Sequence, residues 1–125
     1  MVIRGLGDLE AVIMDRLWSW DRPTSVREIC DDLLRERQIA YTTVMTVMEN
    51  LHRKGMLTRE RDGRAWRYRP ARSRAEHTAE LLEEVLDGAN DRTAALMTFV
   101  RRMSRSELAA LRRALSQHTS RGEQR

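Results

Sequence analysis

The sequence predicts a mainly α fold: three helices and a two-stranded β-wing in helix-turn-helix order, followed by a second helical region. Three observations carry this. Apolar residues recur at helical spacing in six segments. The period drops to two only around one Asp-Gly pair. Ser/Glu capping boxes mark three helix starts.

The first helix is expected from about Asp8 to Trp20, with Leu9, Val12, Ile13 and Leu17 on one face and Asp8 as its N-cap after Gly7. Asp21-Arg22-Pro23 ends it, because a residue before proline is pushed out of the helical region. A second helix starts at Thr24 or Ser25, where Ser25 and Glu28 have capping-box spacing, and buries Val26, Ile29, Cys30, Leu33 and Leu34. After a break at Gln38–Ala40 the third helix runs Tyr41–Lys54 on the stripe Val44, Val47, Met48 and Leu51. Arg53 and Lys54 suit its C-terminal dipole, and Gly55 accepts the left-handed conformation beyond it.

Leu57–Arg61 reads as a strand, Asp62-Gly63 as a hairpin turn, and Arg64–Arg69 as the return strand, with Trp66 and Tyr68 on one face. A hairpin is not stable alone in water, so it must pack on the helices. Helix, helix, turn, helix and hairpin over residues 7–70 is the order of a winged helix-turn-helix. Beyond it, Ser73/Glu76 caps a fourth helix, Gly88-Ala89-Asn90 interrupts, Asp91 caps a fifth, and Ser104/Glu107 caps a sixth. Their narrow apolar stripes comprise Leu82, Val85, Leu86, Leu96, Phe99, Val100, Met103, Leu108, Leu111 and Leu115. Either they fold back on residues 1–70 as a monomeric cap, or two chains share them. A symmetric homodimer is favoured as the commonest closed assembly. The expected division is 1–72 for a DNA-binding winged helix, 73–118 for a helical dimerisation domain and 119–125 for a flexible tail.

The chain has 125 residues and a net charge of +4. Its distribution says more than its sum. Residues 52–74 hold 9 basic and 2 acidic side chains, residues 75–91 hold 6 acidic and no Lys or Arg, and residues 92–125 hold 8 basic and 2 acidic. Concentrated positive charge is what a polyanion needs, although a solvated arginine-rich surface has the same composition. No apolar stretch is long enough to span a bilayer or serve as a secretory signal, so a cytoplasmic protein without membrane insertion is expected. Cys30 is the only cysteine, which excludes a disulfide framework and a multi-cysteine metal site. His52, His77 and His118 are isolated, and neither HExxH nor a phosphate-binding glycine loop is present. The acidic run Glu76, Glu80, Glu83, Glu84, Asp87 reads as a solvated helix face. An enzyme is therefore not expected, nor is a cofactor or a metal.

If the third helix enters a major groove, base edges would face Tyr41, Thr42, Thr43, Met45, Thr46 and Asn50. Threonine hydroxyls can bond bases or phosphates and their methyls can pack on thymine; the alternative is that these threonines simply start a helix in water. Arg53, Lys54, Arg59, Arg61, Arg64 and Arg67 would grip phosphates, which positions a protein without choosing a sequence. Trp66 and Tyr68 are read as packing groups rather than base-stacking ones.

The runs LGDLEAVIMDRLW, TSVREICDDL, IAYTTVMTVMENLHRKGML and RDGRAWRYRP, in that order, resemble the penicillinase repressors of BlaI/MecI type over residues 6–115. The resemblance implies a dimeric, nucleoid-bound bacterial repressor on a palindromic operator, often built on TACA/TGTA. It further implies relief by a membrane-bound sensor protease that triggers cleavage in the second C-terminal helix, at the position matching Thr98-Phe99. Thr98 replaces an asparagine of the family pattern, and Met45 and Asn50 stand where some members carry arginines. No cysteine follows Cys30, so the thiolate copper hook of one family branch is absent. Two other readings remain: a winged-helix module that binds an acidic protein, and a ligand-sensing regulator.

Overall fold

The computed structural model describes residues 6–123. They form α1 (Asp8–Trp20), β1 (Thr24–Ser25), α2 (Val26–Leu33), α3 (Tyr41–Arg53), β2 (Leu57–Asp62), β3 (Ala65–Pro70), α4 (Arg74–Asp87), α5 (Arg92–Arg101) and α6 (Arg105–Glu123). The first five helix and strand assignments of the sequence hold, and four local details change.

The N-cap of α1 is Gly7, not Asp8. Glu10 reaches back to accept the Gly7 N–H at 2.9 Å, so the cap needs no Asp8 side chain. Asp8 becomes the first helical residue, where a carboxylate still favours the positive helix end. At the other end Asp21 adopts a left-handed φ of 49° and donates its N–H to Leu17 O, closing the helix before Pro23. The buried face is Ile13, Met14 and Leu17, with Leu9 and Val12 half-buried at its edge.

Ser25 caps α2 as expected: its hydroxyl accepts from Glu28 N–H, and Glu28 accepts from Ser25 N–H. The helix stops at Leu33, so Leu34 turns off the buried face and stays 49% exposed, contrary to its placement in the core. The end of α3 is a Schellman motif. Gly55 at φ 82° donates to His52 O, and Met56 donates to Leu51 O. That motif turns the chain directly into β2.

The wing is larger than a hairpin. Thr24 and Ser25 pair antiparallel with Tyr68 and Arg67, giving a three-stranded sheet in the order β1-β3-β2. Two residues are too short a run to show alternation, which hid β1 from pattern reading. The hairpin register pairs Asp62 with Ala65, so the two turn residues are Gly63 and Arg64 rather than Asp62 and Gly63. Gly63 at φ 65° occupies the first of them, the position that requires glycine in a II′ turn.

The core of this first part joins α1, α2, α3 and both long strands: Ile13, Met14, Leu17, Ile29, Leu33, Val44, Met48 and Leu51 are fully buried, with Leu57 and Tyr68 almost so. Tyr68 is thereby the packing group that the strand alternation predicts.

The chain divides into two compact units, the second beginning at Leu82. The start of α4 belongs to the first unit, because it is anchored to α1. Trp18 donates its indole N–H to Arg72 O at 2.9 Å, Arg74 bonds Asp15 at 2.7 Å, and the buried His77 ring lies 5.5 Å from Trp18. In the second unit, Asp91 caps α5 through Ala94 N–H and Ser104/Glu107 forms the expected box before α6. Among the described residues from Leu82 to Thr119 none is buried. Helix α6 continues to Glu123, since backbone hydrogen bonds can prolong a polar helix without a core. Residues 124 and 125 lie outside the described residues.

Candidate nucleic-acid interface

Helix α3 buries Val44, Met48 and Leu51, so its opposite side must face away from the core. Thr43, Thr46, Asn50 and Arg53 fall three and four residues apart, which places them in one row along that side. Tyr41, Thr42, Thr43 and Thr46 are exposed, as base readout requires. Met45 and Asn50 are only half-buried rather than free: Met45 packs against the core, and Asn50 Oδ1 accepts from Arg53 at 2.6 Å. The structure therefore exposes all four hydroxyl-bearing candidates, with Thr42, Thr43 and Thr46 on the side away from the core and Tyr41 at the helix start, and holds the other two more tightly. Ala40 precedes the helix without a side-chain cap; the Thr43 N–H donates to Ala40 O at 3.1 Å, which leaves the N–H groups of Tyr41 and Thr42 for an outside acceptor.

The six cationic candidates are not equivalent. Lys54 Nζ sits 2.9 Å from both Glu10 oxygens. Partial burial pushes the Glu10 carboxyl upward, but bonds from Lys54 and Gly7 N–H and the Lys54 charge outweigh it, so its pKa lies below the ordinary carboxylate value. Arg67 contacts Asp62 and, at 2.9 Å, Glu28; its pKa is raised, chiefly by the Asp62 hydrogen bond. Lys54 and Arg67 thus carry their own counter-charges. Arg53 is engaged with the neutral Asn50 amide. Arg64 occupies the exposed turn and forms no ion pair among the described residues.

Arg59 and Arg61 share the Trp66–Tyr68 face of the sheet, because Arg59 pairs with Tyr68 and Arg61 with Trp66. Their Cζ atoms lie 4.3 and 4.7 Å from the Trp66 ring centroid, and Arg59 also reaches Tyr68 OH at 3.4 Å. Trp66 is half-buried against the core, so the packing role read from the sequence holds, and it also carries two cations.

Sequence reading missed three contributors. Arg27 lies 5.2 Å over the Tyr41 ring, adding a cation beside the start of α3. Glu10 fixes Lys54 across 44 residues, a contact that no neighbouring residue announces. Glu28 joins Arg22, Arg67 and the Ser25 cap, tying the wing to α2. That second role is a long-range contact with no local signal.

A family model described as penicillinase repressor matches residues 6–117. The chain belongs to the penicillinase repressor family. It is 46% identical over 115 residues to the transcriptional regulator BlaI of Mycobacterium tuberculosis, in strains CDC 1551 and H37Rv, covering 90% of this chain and 83% of that protein. These relatives are transcriptional regulators and not enzymes, so this family member is assigned to transcription regulation. Two solved structures, described as complexes of hsRosR-S4 and hsRosR-S1, superpose with TM-scores of 0.52 and identities of 20% and 19%. Each alignment covers 86% of this chain, and 94% and 96% of the respective neighbour. At that identity they speak for the fold alone. For this penicillinase repressor family member, the described residues contain no helix long and apolar enough to cross a membrane. They also contain no group of His, Cys, Asp and Glu that could hold a metal.

A cleft of about 330 Å³ lies beside Trp18, lined by Arg22, Arg69, Arg72 and Arg74 among others. Three of these arginines are already paired, with Glu28, Glu80 and Asp15.

Proposed function

We propose that this chain is a DNA-binding repressor that acts as a cytoplasmic homodimer on a palindromic operator near its own or adjacent genes. The observation that carries the DNA reading is the exposed hydroxyl patch of α3 beside a wing bearing Arg59, Arg61 and Arg64. Tyr41, Thr42, Thr43 and Thr46 read bases in the major groove, with Met45 and Asn50 at the margin of the patch. Arg53, Arg59, Arg61 and Arg64 meet phosphates, with Lys54 and Arg67 contributing less because their charges are already neutralised.

Dimerisation is supported by the second unit's exposed apolar residues. Leu82, Val85, Leu96, Phe99, Val100 and Leu115 are 37–56% exposed, and Leu86, Met103, Leu108 and Leu111 are half-buried. A surface of this kind marks an association site, and a second copy is the partner that a two-fold operator requires. Relief of repression follows the family pattern: a membrane-bound sensor protease leads to cleavage at Thr98-Phe99. Phe99 is 56% exposed, but Thr98 and Phe99 lie inside α5, so the helix must open locally before its backbone can enter a protease.

Footprinting on the chain's own upstream DNA tests the reading. Protection of a two-fold site, lost steeply with added salt, is expected. Equal binding to random and upstream duplexes would overturn the operator reading, and absence of salt-dependent DNA binding would favour a protein-binding module.

A further inference from the structure

We propose that Trp66 is a positioning residue for DNA binding, its ring holding Arg59 and Arg61 as a paired phosphate clamp on the wing. The inference rests on the DNA-binding reading above. Strand register puts Arg61 directly across from Trp66 and Arg59 one pair further along the same face, within diagonal reach of the ring. Both guanidinium carbons lie within 5 Å of the ring centroid, at 4.3 and 4.7 Å. The indole is itself fixed, because it packs on the core beside the fully seated Tyr68. Tyr68 OH adds a hydrogen-bond partner for Arg59 at 3.4 Å.

A free arginine loses much rotamer entropy when it is pinned to a phosphate. A guanidinium stacked on a ring is pinned beforehand through its face, while the N–H edges that bond phosphate oxygens stay available. Neither Arg59 nor Arg61 has a carboxylate partner among the described residues, unlike Arg67 on the opposite face of the same strands. Trp66 thus restrains two cations without neutralising them. A carboxylate in its place would restrain them and cancel their charge.

The test is a double-mutant cycle in the full-length protein, read by fluorescence anisotropy on a duplex of its own upstream DNA across a salt series. Trp66→Leu keeps an apolar side chain on the core but removes the ring face, and Trp66→Phe keeps a ring. Trp66→Leu is expected to weaken binding roughly five- to thirtyfold. The slope of log affinity against log salt should stay at the wild-type value, because no charge is lost. Trp66→Phe should recover most of the affinity. In an Arg59→Ala/Arg61→Ala background, whose slope is shallower by roughly two, Trp66→Leu should cost nothing further. Wild-type affinity in Trp66→Leu would overturn the proposal, as would an undiminished loss in the arginine-free background. Equal losses for Leu and Phe at an unchanged Tm would overturn it too. Absence of salt-dependent DNA binding by the wild type would instead overturn the DNA reading itself, and the wild-type curve alone shows that case.

Discussion

The two compact units are built from the same kind of amphipathic helix, yet they finish the task differently. In the first, three helices and a twisted sheet surround a shared centre, and Ile13, Met14, Leu17, Ile29, Leu33, Val44, Met48 and Leu51 lose all contact with water. In the second, no described side chain is buried, and Phe99, Leu115 and Met97 remain more than half exposed. Apolar periodicity therefore specifies a helix in both units but a closed core only in one. A core needs elements crossing in at least two layers; α5 and α6 offer stripes, and stripes need a partner.

The sharpest way to break this contrast is truncation after Leu81. The product should stay folded and become monomeric by sedimentation, and its affinity for the two-fold operator should fall by at least about a hundredfold as avidity is lost. A dimeric product would place the interface in the first unit instead.

Next in size are paired core and surface deletions. Leu17→Ala should lower the unfolding free energy by about 2–5 kcal/mol at any protein concentration, because it leaves a cavity in a closed core. Leu115→Ala should leave that unfolding transition nearly unchanged and raise the dimer dissociation constant. Urea melts at two protein concentrations distinguish them; a large loss of first-unit stability from Leu115→Ala would erase the contrast.

Smaller effects separate the cations of the first unit. Arg64→Ala should make the salt slope of DNA binding shallower by about 0.9, the share of one phosphate contact. Lys54→Ala should change it less, because Glu10 already neutralises that ammonium at 2.9 Å. Equal changes would show that the Lys54–Glu10 pair opens on DNA.

The smallest effect concerns acid. The Glu10 carboxyl is depressed in the folded state, as is that of Glu28, where bonds from the Ser25 N–H and Arg22 overcome the upward push of burial. A depressed carboxyl contributes stability that is present above its unfolded pKa, near 4.5, and is lost as pH falls through the folded value. Glu10→Gln should therefore destabilise at pH 7 and converge on the wild type below the folded pKa. A constant difference across that range in pH-dependent melts would mean that charge is not its contribution.

Much of this was legible in the chain. Capping boxes at Ser25/Glu28, Ser73/Glu76 and Ser104/Glu107 were correct because both partners sit three residues apart, and local geometry alone decides whether they meet. Gly55 and Tyr68 were correct for the same reason: a helix terminus and strand alternation are short-range properties. The exposed threonines of α3 followed from one helical period. What escaped was long-range. β1 exists only because β3 passes beside it, α4 begins inside the first unit because Trp18 and Asp15 hold Arg72 and Arg74, and Lys54 and Arg67 lose their freedom to carboxylates 44 and 39 residues away.

By itself, then, the sequence determined the helices and the two long strands, their order, and the two-residue wing turn to within one position. Spacing rules and backbone sterics act over three or four residues and are written into neighbouring letters. Only the tertiary structure decided which of the six cations stand free, which are neutralised and which are stacked on Trp66. A side chain's electrostatic availability depends on what the fold carries to within about 4 Å of it, and that distance has no counterpart along the chain.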